Sequence, residues 1–268
     1  MNLSIYVKEI RKNGKRYFTL KQLIEDLGLS KNAALNAIFR MKKHGDLISP
    51  ARGLYVIVPP ENQPYGSIPA EDLVIILMKY LKADYYVSLL SAATFYGAAH
   101  QKPNVFQIIT NKRINHPLQF GQVKLDLVYK KSLSGLPTKD FTMSAGYLKV
   151  ATPELTMIDL FSYINRSAGL NHVATILSEL IEAIDVDKLI ALASKITSNY
   201  QIQRLGYILE KIDVMNDKKK DLTIIMLEKY LSGKLSSYVP LASELPKAGY
   251  PRCKKWKIIE NTDIESDL

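Results

Sequence analysis

The chain has 268 residues, enough for two domains with cores of their own. Its composition, 47% hydrophobic and 23% charged, is typical of a globular protein. No apolar run reaches the ~20 residues that a membrane-spanning helix needs, and the N-terminal segment lacks the apolar stretch of a secretion signal. Cys253 is the single cysteine, so an intramolecular disulfide is excluded. We therefore expect a cytoplasmic protein with no membrane association.

The positive charge is concentrated at the N-terminal end. Residues 1–60 hold 11 Lys and Arg against four Asp and Glu, which accounts for +7 of the net charge of +10. A basic block of this kind is typical of a module that binds nucleic acid. A lysine-rich face kept only for solubility would not explain why the rest of the chain is nearly balanced.

The basic block contains the pattern of two short helices joined by a turn. Leu20, Leu23, Ile24 and Leu27 recur at helical spacing after Thr19, a favourable N-cap. Gly28 ends this helix and Ser30 caps a second one, which runs to about His44 with Leu35, Ile38 and Phe39 predicted to face inward. Together they predict a helix-turn-helix.

A predicted β-hairpin follows this pair of helices. Leu47-Ile48 and Leu54–Val58 are β-type runs, and the turn-forming residues Ser49–Gly53 separate them, with Arg52 at the tip. A hairpin directly after a helix-turn-helix indicates a winged helix that binds DNA. The alternative is a small helical subdomain whose basic face is merely solvated.

The second helix of this pair carries polar residues that avoid its apolar stripe: Lys31, Asn32, Asn36, Arg40 and Lys43. Asn and Arg can read base edges, whereas Lys mainly neutralises phosphate. We therefore predict that this face contacts double-stranded DNA.

The rest of the chain predicts an α/β (α+β) fold in which the winged helix precedes a larger mixed domain. A supporting helix spans Asn2–Lys12, and the proline-rich stretch Pro59–Gly66 is the clearest linker, so we place the domain boundary at residue 62. Residues 63–151 are predicted as a small sheet with helices, residues 152–232 as mainly helical, and residues 233–268 as an irregular tail with a final strand at Trp256–Ile259 that rejoins the sheet.

Individual elements of the second domain are predicted as follows. Helices are expected at Ala70–Leu81, Leu89–Tyr96 and from Pro153 onward, where Thr152 is the cap; strands are expected at Tyr85–Val87, Val105–Thr110, Ile114, Val123–Tyr129 and Tyr147–Ala151. The sheet is predicted to be mostly antiparallel or mixed.

Nothing in the sequence predicts an enzyme, a metal site or a cofactor. The four histidines and Cys253 have no zinc-ligand spacing, and we expect His100, just past a predicted helix end, to be a helix-terminal residue. Asp126, Glu154 and Asp159 leave a metal-dependent nuclease as the enzymatic alternative. There is neither a Gly-x-Ser-x-Gly motif nor a phosphate-binding glycine loop.

Two further groups of residues predict a surface for a partner or for DNA. Tyr200, Arg204 and Tyr207 lie together on one predicted helix, and Tyr and Arg are favoured at interfaces. The second group is the basic C-terminal cluster Arg252, Lys254 and Lys255. The alternatives are tyrosines that cover the edge of the core and lysines that protect an edge strand.

Several stretches in order along the chain resemble the AbiEi-type antitoxins, the transcriptional-regulator half of bacterial abortive-infection toxin–antitoxin pairs. The resemblance rests on Tyr85–Thr110 (YYVSLLSAATFYGAAHQKPNVFQIIT), Val150–Tyr163 (VATPELTMIDLFSY), Gly169–Leu180 (GLNHVATILSEL), Gln203–Glu210 (QRLGYILE) and Trp256–Asn261 (WKIIEN). With the predicted winged helix, it spans nearly the whole chain.

This resemblance implies a function in phage defence. Members of the family bind inverted repeats in the promoter of their own operon and repress it, and their C-terminal domain counteracts a nucleotidyltransferase-like toxin. The family antitoxin is not regarded as an enzyme. The resemblance thus implies two partners, promoter DNA, bound by a dimer or a cooperative pair, and the cognate toxin. The positions that match the DNA-contacting pattern are Ser30, Lys31, Asn32, Asn36, Arg40, Lys43 and Arg52. The remaining alternative is a one-component regulator whose second domain senses a small ligand.

Overall fold

The computed structural model describes residues 2–98, 103–116, 118–195, 198–215 and 217–264. His100 therefore lies outside the described residues. Helices and several sheets alternate along the chain, which confirms the predicted mixed α/β class.

The N-terminal segment contains the predicted helices and hairpin in the predicted order. Its elements are α1 (Leu3–Lys12), β1 (Tyr17–Thr19), α2 (Leu20–Leu27), α3 (Lys31–Lys43), β2 (Leu47–Ala51) and β3 (Leu54–Ile57). Strand β1, which the sequence analysis did not predict, pairs antiparallel with β3, and the sheet has the order β1-β3-β2.

An aromatic cluster lies at the centre of this segment. The ring of Phe18 packs edge-on against Tyr6, at 5.7 Å between centroids, and stacks on Tyr55 at 5.6 Å. The Tyr6 hydroxyl donates a 2.7 Å hydrogen bond to Asp26, and burial together with that carboxylate raises the pKa of Tyr6. The cluster is part of one core that joins α1, α2, α3 and the three strands.

The middle of the chain forms a six-stranded sheet. A 3-10 helix (Pro60–Tyr65) and α4 (Ala70–Leu81) precede β4 (Tyr85–Val87), α5 (Leu89–Thr94), β5 (Phe106–Thr110), β6 (Leu118–Phe120), β7 (Val123–Tyr129), β8 (Thr138–Met143) and β9 (Gly146–Ala151). The strand order is β6-β7-β5-β4-β9-β8. Strands β5 and β7 pair in parallel, as do β4 and β9, whereas β6 is antiparallel to β7, so the sheet is mixed.

The last part of the chain is mainly helical, as predicted. Its elements are α6 (Pro153–Ser162), α7 (Leu170–Leu180), α8 (Val186–Ala193), α9 (Tyr200–Lys211) and α10 (Asp217–Leu231), followed by β10 (Val239–Pro240), β11 (Arg252–Cys253) and β12 (Ile258–Ile259). The Thr152 hydroxyl caps α6 by accepting a hydrogen bond from Leu155 N. The final strand does not rejoin the six-stranded sheet as predicted, because β12 pairs with β10 and β11 in a small sheet of its own.

The contacts between residues group the chain into two compact units. One comprises residues 1–86, 104–133 and 140–149, and the other comprises residues 87–103, 134–139 and 150–268. The first unit therefore adds α4 and strands of the larger sheet to the N-terminal segment. A domain boundary at residue 62 stays a prediction.

Candidate nucleic-acid interface

Local hydrogen bonds fix the turn between α2 and α3. The Thr19 hydroxyl accepts a hydrogen bond from Gln22 N at 3.2 Å, and the Gln22 side chain accepts one from Thr19 N at 2.9 Å, a reciprocal cap at the start of α2. Gly28 ends α2 in the left-handed conformation, with φ +62°. Ser30 then caps α3 by accepting a 3.3 Å hydrogen bond from Ala33 N. The hydroxyl of Ser30, one of the predicted site residues, is thus engaged in this cap.

The predicted polar face of α3 is exposed. Ala34 and Ile38 are buried, with Met41 partly buried on the same side of the helix. The opposite side carries Asn32, Asn36, Arg40 and Lys43, whereas Lys31 lies in the first turn, one turn before Ala34; all five are exposed. In the part of the chain that the structure describes, no hydrogen bond or ion pair engages these five side chains. Their donors and charges are therefore available to a ligand.

The prediction that Leu35 and Phe39 face inward was wrong. Phe39 is 68% exposed and Leu35 is 37% exposed. The buried stripe runs through Ala34, Ile38 and Met41, at spacings of four and three residues, and this rotates Phe39 to the polar side. Counting the small Ala34 as a core residue would have given the correct rotation from the sequence.

The hairpin after α3 is tighter than predicted. Strand β2 extends to Ala51, so the turn contains only Arg52 and Gly53, the latter with φ +81°. Tyr80 Oη donates a 2.8 Å hydrogen bond to the carbonyl of Arg52, and Leu20 N donates a 2.9 Å bond to the carbonyl of Gly53. The backbone of the tip is thus held on both sides, and the Arg52 side chain is exposed.

The tip of the hairpin and the start of α3 share a cleft of about 720 Å³. Lys31 and Arg52 both line it, together with the acidic Glu25 and the apolar Leu20 and Leu35. The structure therefore brings together two predicted cations from separate elements. The charge at this cleft is positive, since Lys21 also lines it and three cations therefore face one carboxylate, Glu25, which pairs with Lys21 at 3.7 Å.

The second predicted surface, on α9, is largely buried. Arg204 is only 6% exposed, and its Nε and Nη2 donate to the carbonyl of Pro240 at 3.1 and 2.9 Å. Burial lowers the pKa of Arg204 and raises that of Tyr207, which is also buried, to about 12. Tyr200 is half-buried, with its ring 5.4 Å from the Arg204 guanidinium. Arg204 and Tyr207 therefore belong to the core, and the prediction of a surface there was wrong for these two side chains.

The C-terminal segment covers α9. The ring of the fully buried Trp256 lies on Gly206, where an added Cβ would meet the ring at 2.2 Å, and Trp256 Nε1 donates to Glu210 at 2.8 Å. Gln203, also buried, donates to the carbonyl of Trp256 at 2.9 Å. A residue with any side chain at position 206 would push the indole away.

The basic C-terminal cluster is partly neutralised. Lys255 pairs with Glu210 and, at 3.1 Å, with Glu228, and the hydrogen bond that its ammonium donates to Glu210 raises the pKa of Lys255. Arg252 and Lys254 are exposed, and the Arg252 guanidinium lies 5.3 Å from the ring centroid of Tyr238. Two of the three predicted cations thus remain on the surface without a carboxylate contact among the described residues.

Glu154 and Asp159, two of the three carboxylates considered for a nuclease, accept hydrogen bonds within the fold. Glu154 accepts a 2.8 Å hydrogen bond from Asp185 N, at the start of α8, and Asp159 accepts one of 2.9 Å from Ser88 Oγ. Both carboxylates are buried. Among the described residues, no three His, Cys, Asp or Glu side chains come together in a metal-binding arrangement. No described helix is long and apolar enough to cross a membrane.

Comparison with known proteins finds a family match in the middle of the chain. Residues 86–211 match the family described as the AbiEi antitoxin C-terminal domain, from β4 to the last turn of α9. This range contains most of the stretches on which the predicted resemblance rests, and Trp256–Asn261 lies beyond it. No match is found among curated proteins.

A solved structure shares the fold over nearly the whole chain. The RV2827C protein from Mycobacterium tuberculosis aligns with a TM-score of 0.67 and 15% identity, over 96% of this chain and 90% of that one. An antigenic nucleotidyltransferase-like protein from Paracoccidioides brasiliensis aligns with a TM-score of 0.36 and 13% identity, over 59% of this chain and 90% of that one. The first likeness shows a common fold, and the second is too weak to carry an argument.

Proposed function

We propose that this chain, whose residues 86–211 belong to the AbiEi antitoxin C-terminal domain family, is a DNA-binding antitoxin that represses its own operon. The observation that supports DNA binding most strongly is the outward side of α3, where exposed cations and amides have no protein partner among the described residues. The family match supports the role in a toxin–antitoxin system. As an antitoxin of this kind, the protein would be a cytoplasmic regulator in phage defence and not an enzyme.

The proposed complex places α3 in the major groove, as the recognition helix of a winged helix-turn-helix. Asn32, Asn36 and Arg40 carry groups that can form hydrogen bonds with base edges, and Lys31 and Lys43 neutralise phosphates. Arg52, at the anchored hairpin tip, reaches the neighbouring phosphate or minor groove. An inverted repeat then recruits a dimer or a cooperative pair, one protomer to each half-site.

The experiment for this half of the proposal is fluorescence anisotropy of the full-length protein with the DNA upstream of its own gene. Scrambled DNA is the competitor, and the salt concentration is varied. We expect specific binding that weakens steeply with salt, because several phosphates lose their counterions in the complex. Equal affinity for promoter and scrambled DNA would rule out autorepression.

Two substitutions on α3 distinguish reading of bases from contact with phosphate. Asn36→Ala should lower affinity for the promoter while leaving nonspecific binding unchanged, since an amide reads a base edge. Lys43→Ala should weaken binding to all sequences alike and reduce the salt dependence. The reverse pattern would show that the roles of these two residues are exchanged.

The antitoxin half of the proposal requires a toxin partner of the nucleotidyltransferase-like kind. The test is co-expression of the full-length chain with the product of the adjacent gene, with cell growth as the readout. We expect growth to be restored by the wild-type chain and equally by Asn36→Ala, because the family match lies outside α3. Growth arrest in the presence of a well-expressed chain would contradict the antitoxin role.

One feature of the second unit favours the alternative of a ligand-sensing regulator. A cleft of about 550 Å³, within the range of small-molecule sites, is lined by Tyr200, Arg204, Arg166 and Lys247 among others. The cations favour an anionic ligand. Thermal unfolding with a panel of small phosphates and carboxylates tests this alternative, and release of promoter DNA by a compound that raises the melting temperature would favour it over the antitoxin.

A further inference from the structure

The exposed side of α3 contains two large apolar residues, of which Phe39 is the more exposed. Phe39 is 68% exposed, and helical spacing places Asn36 one turn before it and Lys43 one turn after it on the same side. Asn32 lies a further turn before Asn36. Phe39 therefore lies beside the row of polar residues on the exposed side of the helix.

The surroundings of Phe39 favour a polyanion over an apolar protein surface as its ligand. Helix α3 has no acidic residue, and it carries Lys31, Arg40, Lys42 and Lys43. A second copy docking through this face would bring like charges together, which opposes association. DNA supplies the opposite charge, and its major groove also presents an apolar group, the C5-methyl of thymine.

We propose that Phe39 packs against a thymine C5-methyl in the major groove and so selects thymine at one position of each half-site. The proposal rests on the proposed function, in which α3 is the recognition helix. The phenyl ring supplies an apolar contact that the neighbouring amides and lysines cannot supply. Thymine is the only one of the four bases with a methyl group in the major groove. A contact with this methyl group therefore distinguishes thymine from the other bases without any hydrogen bond.

The test uses the full-length protein and promoter DNA in which each thymine in turn is replaced by deoxyuridine. This replacement removes the methyl group and leaves the hydrogen-bonding groups unchanged. We expect the wild type to lose affinity by about fourfold when one particular thymine of each half-site is replaced. This is the effect of no longer burying one methyl-sized apolar group. For Phe39→Ala, the substituted and unsubstituted promoters should bind with equal affinity.

Ile225→Ala is the matched control, because Ile225 is also an exposed apolar helix residue, at 59%, and lies in α10, outside the proposed interface. This variant should keep the wild-type sensitivity to deoxyuridine. Thermal unfolding of Phe39→Ala should match that of the wild type, since the removed ring is mostly in solvent. The comparison then separates a lost DNA contact from a damaged fold.

The outcomes distinguish this proposal from the proposed function. Specific promoter binding with no effect of any deoxyuridine, or with the same effect in Phe39→Ala, overturns the role of Phe39 and leaves the repressor intact. Absence of specific promoter binding by the wild type overturns both the role of Phe39 and the proposed repressor function. A smaller oligomer for Phe39→Ala in sedimentation without DNA would instead assign Phe39 to an interface between copies.

Discussion

Helices α3 and α9 carry similar polar residues in opposite surroundings. In α3, Asn36 and Arg40 are exposed, whereas in α9 the corresponding residue types, Gln203 and Arg204, are buried and hydrogen-bonded to backbone carbonyls. The difference comes from the segment around Trp256, distant in sequence, which packs on α9. The composition of a helix face therefore does not decide whether that face is free to bind a partner. This depends on whether another segment of the chain covers it.

The largest expected effect is that of Gly206→Ala in α9. Alanine favours a helix by ~1 kcal/mol, but its Cβ would overlap the buried indole of Trp256, and overpacking of this kind costs up to ~3 kcal/mol. We expect urea unfolding to show a net loss of about 2 kcal/mol. In a double-mutant cycle, Trp256→Leu should relieve part of this loss. A variant as stable as the wild type would contradict the packing of Trp256 on α9.

A pair of arginine substitutions sharpens the comparison. Arg204→Ala should lower the free energy of unfolding by ~2 kcal/mol, because it removes a charged donor and leaves the buried carbonyl of Pro240 without it. Arg40→Ala should change stability by no more than ~0.5 kcal/mol, since that side chain is exposed. Equal losses in the two variants would remove the distinction between the two helices.

A pair of amide substitutions tests the same distinction without a change in charge. Gln203→Ala should cost ~1 to 1.5 kcal/mol, because its amide no longer satisfies the carbonyls of Trp256 and Lys257. Asn36→Ala should leave the free energy of unfolding within ~0.5 kcal/mol of the wild type. Urea denaturation of the two variants side by side is sufficient, and a larger loss for Asn36→Ala would reverse the assignment.

The smallest expected effect concerns alkaline pH. Burial raises the pKa of Tyr207 from its ordinary value of 10.0 to about 12, so its stabilising contribution is complete below pH 10 and is lost as the pH rises through 12. The free energy of unfolding should therefore fall more steeply between these values in the wild type than in Tyr207→Phe. Other tyrosines contribute to both proteins alike. Parallel curves would show that Tyr207 is not buried as described.

The sequence predicts those parts of the fold that depend on local chemistry. The caps at Thr19, Ser30 and Thr152 and the glycine at position 28 place helix starts and stops correctly, because each forms its hydrogen bond or backbone conformation within a few residues. Strands β6 and β8 were not predicted. The first has three residues and the second, at Thr138–Met143, has no buried residue, so neither shows an apolar pattern.

The candidate site could be predicted only where exposure follows from the helix itself. Most polar residues of α3 lie opposite a buried stripe that includes Ile38, so their exposure could be inferred from the sequence. The exposure of Phe39 could be inferred only by counting the small Ala34 as a core residue. For α9 the sequence predicted an interaction surface at Arg204 and Tyr207. Their burial depends on the segment around Trp256, and no local pattern shows which helix a distant segment will cover.

The most direct test of the account is the salt dependence of promoter binding by the full-length wild type and by Arg40→Ala. If α3 is the DNA-binding element, removing Arg40 should lower affinity for the promoter by ~1–3 kcal/mol if it reads a base, or reduce the salt slope by about 1 if it contacts phosphate. Binding curves that coincide with those of the wild type at every salt concentration would contradict the central claim that the exposed face of α3 meets DNA.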